Sequence, residues 1–207
     1  MLTKITGHFH GHLPQLIGFD LDGTLVDSVP DIAVATDRML NALGRGAAGE
    51  DKVRGWVGNG AAMLVKRALA DSHDPAAVAQ VSDADFEPAM AGFRTFYTEE
   101  NGRLTRLYPG VTEVLQAFHE MGVPLAVITN KPKMFADPLL ASLEIERFFP
   151  LVLGGECLTH KKPHRMPLDE AANQLGASAN RSLMVGDSRN DVEAAKAAGW
   201  ILSLIHI

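Results

Sequence analysis

Two aspartates two residues apart, in Asp20-Leu21-Asp22-Gly23-Thr24, have the clearest chemical use in this sequence. Where a strand frays into a loop, both carboxylates can face one site, one attacking as a nucleophile and the other handling protons. Gly23 permits a sharp turn and lets backbone amides approach an anion. A calcium loop needs another oxygen ligand two residues on, then a glycine. Gly23 directly after Asp22 breaks that pattern. Three further stretches complement the pair. Thr129-Asn130-Lys131 offers a hydroxyl and backbone N–H groups to phosphate oxygens, or equally a helix cap. Lys161-Lys162-Pro163 offers a compact positive charge on a proline-stiffened loop, or equally a solvated surface pair. In Gly186-Asp187-Ser188-Arg189-Asn190-Asp191, Asp187 and Asp191 stand one helical turn apart, and such hard oxygen ligands suit magnesium. Singly, each stretch reads as an ordinary turn or cap. Together they supply a nucleophile, a hydroxyl, a lysine and metal carboxylates, which is the equipment of phosphoryl transfer.

These groups need a scaffold, and apolar runs supply it. Residues 16–19, 124–128, 151–153 and 182–185 read as buried parallel strands, and helical periodicity marks 111–121, 134–143, 168–175 and 191–198. Alternating strands and helices predict an α/β fold, a doubly wound parallel sheet with right-handed crossovers. Ligands of such sheets bind beyond the carboxyl ends of the strands. Three of the four runs end on the residues named above, and the fourth leads into the loop that carries Lys162. Between the first two runs the rhythm changes. Helical patterns fill 31–43, 51–57, 61–70 and 85–99, the first with Ile32, Ala35, Met39 and Leu43 on one face. This block is expected to be an all-helical cap inserted into the core.

Composition narrows the classes. The chain has 207 residues, 46% hydrophobic and 21% charged, which supports a sizeable core. A net charge of −6 with no basic stripe gives no footing for nucleic acid. No apolar run approaches a membrane span. The single cysteine, Cys157, excludes an internal disulfide and reads as a small core residue, in keeping with a reducing cytoplasm. His8, His10 and His12 fall in a leader, residues 1–13, expected to be mobile.

The opening Phe19-Asp20-Leu21-Asp22-Gly23-Thr24-Leu25-Val26-Asp27-Ser28 resembles the haloacid dehalogenase superfamily. The segment Val53-Arg54-Gly55-Trp56-Val57-Gly58-Asn59-Gly60-Ala61 resembles the cap of its phosphoglycolate phosphatase family. The resemblance implies a magnesium-dependent phosphatase that hydrolyses 2-phosphoglycolate to glycolate and phosphate through an aspartyl-phosphate. It implies that Asp20 attacks phosphorus, that Asp22 protonates the leaving oxygen and then activates water, and that Thr129, the Asn130 backbone and Lys162 hold phosphate. Magnesium would sit on Asp20, the Asp22 carbonyl and Asp187, with Asp191, Gly23 and Thr24 in support. An acid at position 22 separates phosphatases from the superfamily's dehalogenases, which lack one. Arg165 stands where the family commonly has a proline. Other readings are a phosphatase for another small organic or sugar phosphate, a phosphomutase, and an inactive truncated fragment or binding domain.

The domain layout follows. A Rossmann-like core is expected at 14–28 and 107–201, and the cap at 29–106. Residues 202–207 back-translate to a sequencing-adaptor string and are expected to be foreign to the native protein. In the cap, Arg54 and the backbone amides of Gly58, Asn59 and Gly60 are candidates for a second substrate anion, and Trp56 is expected in the cap's core. The partner is a small phosphate ester. The oligomeric state, monomer or homodimer, stays open.

Overall fold

The computed structural model describes Gly7, Phe9 and residues 11–205; His8 and His10 lie outside the described residues. The core sheet has five parallel strands in the order β5-β4-β1-β6-β7. They are β1 (Leu16–Phe19), β4 (Leu125–Ile128), β5 (Leu151–Leu153), β6 (Ser182–Gly186) and β7 (Ile201–Leu204). Two-residue strands β2 (Val26–Asp27) and β3 (Arg106–Leu107) pair separately. The chain forms two compact units, one of the described residues up to Val26 and from Leu107 onward, the other Asp27–Arg106.

Strand alternation divides the first unit's core. Ile17, Phe19, Leu125, Val127 and Leu183 point to one face. There they pack with α6 (Val111–Glu120) and α7 (Lys133–Ser142) through Leu115, Phe118 and Leu139. Leu16, Ala126, Ile128 and Met184 point to the other, against α8 (Met166–Gln174) and α9 (Arg189–Ala198). This second face is built on small residues, Ala171, Ala194, Ala195 and Ala198, which let the helices approach the sheet closely. Gly18 belongs to it, and a Cβ there would stand 2.8 Å from Ile128 Cδ1. Phe9 and Leu13, expected in the leader, pack against the first cluster, and Phe9 is buried. Leu202 to Leu204, expected to be foreign sequence, lie in β7 and pair with Met184 to Gly186. An apolar groove of about 400 Å³ opens between α6 and the first sheet face.

The second unit holds α1 (Val29–Ala42), α2 (Glu50–Trp56), α3 (Ala61–Ala70), α4 (Pro75–Ala79) and α5 (Asp83–Glu100). Ile32, Ala35 and Met39 of α1 are buried as expected. Leu43 departs from the predicted stripe. It is the residue that caps α1 and is 40% exposed, because the helix ends before its side chain can return to the buried face. Trp56 is buried. Asp31 is wholly buried and accepts hydrogen bonds from Gly102 N, Leu104 N, Thr105 N and Thr105 Oγ1, so the start of α1 is tied to the chain leaving α5. Among the described residues no helix is long and apolar enough to cross a membrane.

Candidate active site

Asp20 follows the last residue of β1, where its backbone N–H still donates to Val185 O of the neighbouring strand at 2.9 Å. Its Oδ1 accepts from Leu21 N at 2.7 Å and lies 3.1 Å from Lys162 Nζ. Lys162 is 1% exposed and also donates to Asp191 Oδ1 at 2.6 Å. The sequence allowed Lys162 to be a solvated surface lysine. Instead its ammonium lies between two carboxylates. Asp191 Oδ2 accepts from Ser188 N and Oγ in a capping box that opens α9. Gly186 makes room for this, since a Cβ at that position would meet the Asp191 carboxyl group.

Asp187 completes the acidic group. One carboxylate oxygen from each of Asp20, Asp187 and Asp191 lies within 4.8 Å of the others. Thr24 Oγ1 donates to Asp187 Oδ1 at 2.8 Å. Gly23, at φ +85°, carries the turn that brings the Thr24 segment there, and a Cβ on it would meet the Asp187 carboxylate. Three carboxylates therefore face one ammonium. Burial pushes the Asp20 carboxyl up to about 7, Lys162 opposes this, and Asp191 and Asp187 reinforce it. Burial also raises Asp187, against the hydrogen bond from Thr24. Burial alone would lower the Lys162 ammonium, but Asp20 and Asp191 outweigh it and the pKa rises. The group carries more negative charge than its lysine balances, and its donors are hard oxygens. A divalent cation such as magnesium fits both features. With both Asp191 oxygens already engaged, Asp20 and Asp187 are the members best placed to hold it.

Thr129 and Asn130 are both buried at the end of β4. Thr129 Oγ1 accepts from Lys131 N at 3.1 Å, and Asn130 Nδ2 donates to Lys162 O at 3.0 Å, bracing the lysine loop. Asp22 and Lys131 form an ion pair at 3.0 Å, with side chains 13% and 3% exposed. The sequence reading passed over Lys131. Its position directly after Thr129-Asn130 was the available signal, but a lysine leaving a strand is usually solvated. Cys157 is corrected: it is exposed, because the chain after β5 runs as a surface loop, and its Sγ accepts from Gly154 N at 3.2 Å.

The remaining candidates belong to the second unit. Arg54 is half-exposed and pairs with Glu50 at 2.7 Å and Asp27 at 3.2 Å, so its charge is already met twice. Asn59 Oδ1 accepts from Arg67 Nη2, and Arg67 Nη1 donates to Trp56 O, which ties the turn of Gly58, Asn59 and Gly60 to α3.

A parallel α/β sheet with acidic and basic groups gathered at its carboxyl edge has the equipment of a phosphoryl-transfer enzyme. The family model for haloacid dehalogenase-like hydrolases matches residues 17–203, and the chain belongs to that family. It is 51% identical over 191 residues to a phosphoglycolate phosphatase of Pseudomonas fluorescens, covering 92% of this chain and 69% of the relative. It is 42% identical to a phosphoglycolate phosphatase of Nitrosococcus oceani, covering 90% of this chain and 81% of that one. Among solved structures it is similar to a predicted phosphoglycolate phosphatase from Haemophilus somnus 129pt, with TM-score 0.83 and 39% identity over 91% of this chain and 83% of the other.

Proposed function

We propose that the chain is a phosphatase that hydrolyses 2-phosphoglycolate to glycolate and phosphate, with Asp20 as nucleophile. The observation that carries the reading is the buried Asp20 carboxylate, 3.1 Å from Lys162 and beside Asp187. The relatives named phosphoglycolate phosphatase support the substrate.

In this reading the substrate phosphate enters beside Asp20, with Lys162 Nζ, Thr129 Oγ1 and the Asn130 backbone N–H taking its oxygens. An Asp20 oxygen attacks phosphorus, the ester P–O bond breaks, and Asp22, which enters this step protonated, gives its proton to the departing alkoxide. Asp22 then removes a proton from water, which attacks the phosphorus of the aspartyl-phosphate and releases phosphate and the free Asp20 carboxylate. Asp20, Asp187 and the Asp22 carbonyl would hold a magnesium ion, which would supply positive charge to the transition state. Lys162 supplies further positive charge, and Asp191 keeps its ammonium in place. Gly23 and Thr24 support the site by placing and orienting Asp187.

The substrate's own carboxylate is the part that the cap candidates would read. The candidates are Arg54 and the amides of Gly58, Asn59 and Gly60. Arg54 already has two carboxylate partners, an observation that favours a broader range of small phosphate esters. The single cysteine, with no internal disulfide to form, supports a cytoplasmic location. The test is initial rates on 2-phosphoglycolate and on a neutral alkyl phosphate of similar size, with and without a chelator. Turnover that requires magnesium and prefers the carboxylate-bearing ester is expected. Equal rates on the two esters leave only a generic phosphatase, and full activity after complete chelation removes the metal from the reaction.

A further inference from the structure

Lys131 is a buried charge that the reaction as written does not use. Its backbone is held on both sides, by donation from Lys131 N to Thr129 Oγ1 and by acceptance at Lys131 O from Gly155 N at 3.0 Å. Gly155 lies so close to Asn130 that a Cβ there would meet its carbonyl oxygen. The other partner is held as firmly. Asp22 bridges to Val26 and sits in a turn closed by Gly23 N to Val26 O at 2.9 Å and Leu25 N to Leu21 O at 2.9 Å. Two fixed stretches of backbone thus bring Lys131 Nζ to 3.0 Å from Asp22 Oδ1, across 109 residues of sequence.

We propose that Lys131 is a positioning residue for Asp22, an inference that rests on the phosphatase reading and on Asp22 as its proton-handling group. The turn fixes the Asp22 backbone, and Lys131 Nζ engages its side chain at Oδ1. A hydrogen bond to one carboxyl oxygen fixes the plane of the group and so places the other oxygen. A misplacement of about 1 Å in a reacting group can cost about 10²-fold in rate. The thermodynamic side agrees. An ion pair this buried is weak evidence for stability, because desolvation offsets its attraction. A geometric role accounts for it better than a stabilising one.

A structural role and a positioning role separate by leaving group. An alkoxide needs the proton from Asp22 as it departs, whereas a nitrophenolate does not. The experiment measures single-turnover hydrolysis of 2-phosphoglycolate and the burst of p-nitrophenolate from p-nitrophenyl phosphate, in the parent and in Lys131→Met, Lys131→Arg and Asp22→Asn. Lys131→Met is expected to slow the alkyl ester about 10–100-fold. The burst rate should change by less than about threefold, since its leaving group departs unprotonated. Lys131→Arg, which keeps a cationic donor, is expected to recover part of the loss, and adding Lys131→Met to Asp22→Asn should cost little more. Equal losses on both esters, full additivity with Asp22→Asn, or no loss on the alkyl ester would each overturn the inference. If Lys131→Met shows no cooperative melting transition, the same ratio read in Lys131→Gln decides. A parent that hydrolyses neither ester overturns the phosphatase reading, and the inference with it.

Discussion

Asp20 is a carboxylate in the wrong place for stability. It is buried beside two other carboxylates and balanced by one lysine, and its pKa is raised to about 7. Such an arrangement is costly in the free protein and makes sense when a substrate or cation completes it. Asp20→Asn is therefore expected to abolish turnover while raising the melting temperature of the metal-free protein at pH above about 7, because it removes an ionised group from a desolvated acidic cluster. Measurable turnover in that variant would mean that the nucleophile lies elsewhere. Asp22→Asn is expected to lower kcat about 10²–10⁴-fold, the usual worth of a general acid–base, while leaving magnesium affinity measured by calorimetry unchanged, since the proposed metal contact is a backbone carbonyl. Most of this site could be read from residue types at strand ends. Asp20, Asp22 and Asp187 stand at or just beyond apolar runs that read as buried strands, and Lys162 stands in the loop that follows another. Lys131 could not be read so, because its burial depends on Asp22, far away in sequence. The engagement of Arg54 by Asp27 and Glu50 was hidden for the same reason, since one of its partners lies 27 residues away.

At the scale of elements, the strands that carry chemistry were legible because a strand buried on both faces leaves a continuous apolar run. Two kinds of piece escaped: β7, whose residues 202–204 were expected to be foreign sequence, and elements too short to show a period. α4 has five residues and announces itself only by Asp74, whose side chain accepts from Ala76 N, and by Pro75 after it. β2 and β3 have two residues each, and their pairing is a long-range fact. The chain is also held together at this level by a group that no periodicity marks. Asp31 sits in the first turn of α1 and reads as a dipole-favouring acid. In the structure it instead gathers four hydrogen bonds from Gly102, Leu104 and Thr105, more than 70 residues on. Asp31→Ala leaves three backbone N–H groups and a hydroxyl without that acceptor. Each such donor costs about 1–3 kcal/mol if it stays buried, and local relaxation recovers part of that. A net loss of about 3 kcal/mol by urea unfolding is expected. Asp31→Asn should lose less, since its carbonyl oxygen still accepts. A change under about 0.5 kcal/mol for the alanine variant, the range of ordinary surface substitutions, would show that the knot contributes little.

At the scale of the whole molecule, the three carboxylates gathered around Lys162 tie stability, metal and pH together. The unfolded Asp20 carboxyl titrates near its ordinary value of 3.8 and the folded one at about 7. Between those values the native state keeps a proton that the unfolded chain has released. The group's contribution to stability is therefore full below the lower value and is lost as pH rises through the upper one. Asp187 is shifted in the same direction by burial. A divalent cation binds the ionised carboxylates and must displace those protons at low pH. It acts oppositely to the proton, giving most stabilisation where the proton gives least. The gain in melting temperature on adding magnesium at fixed concentration is thus expected to be small at pH about 5.5, to grow through pH about 7, and to level off near pH about 8, with apparent affinity changing up to tenfold per pH unit in between for one linked proton. The measurement is a set of thermal melts with and without magnesium across that range, repeated with Asp20→Asn. In the variant the gain should be smaller and should lose most of its pH dependence, because the principal linked proton is gone. A gain that is the same from pH about 5.5 to about 8 in the parent would show that the cation does not bind at Asp20.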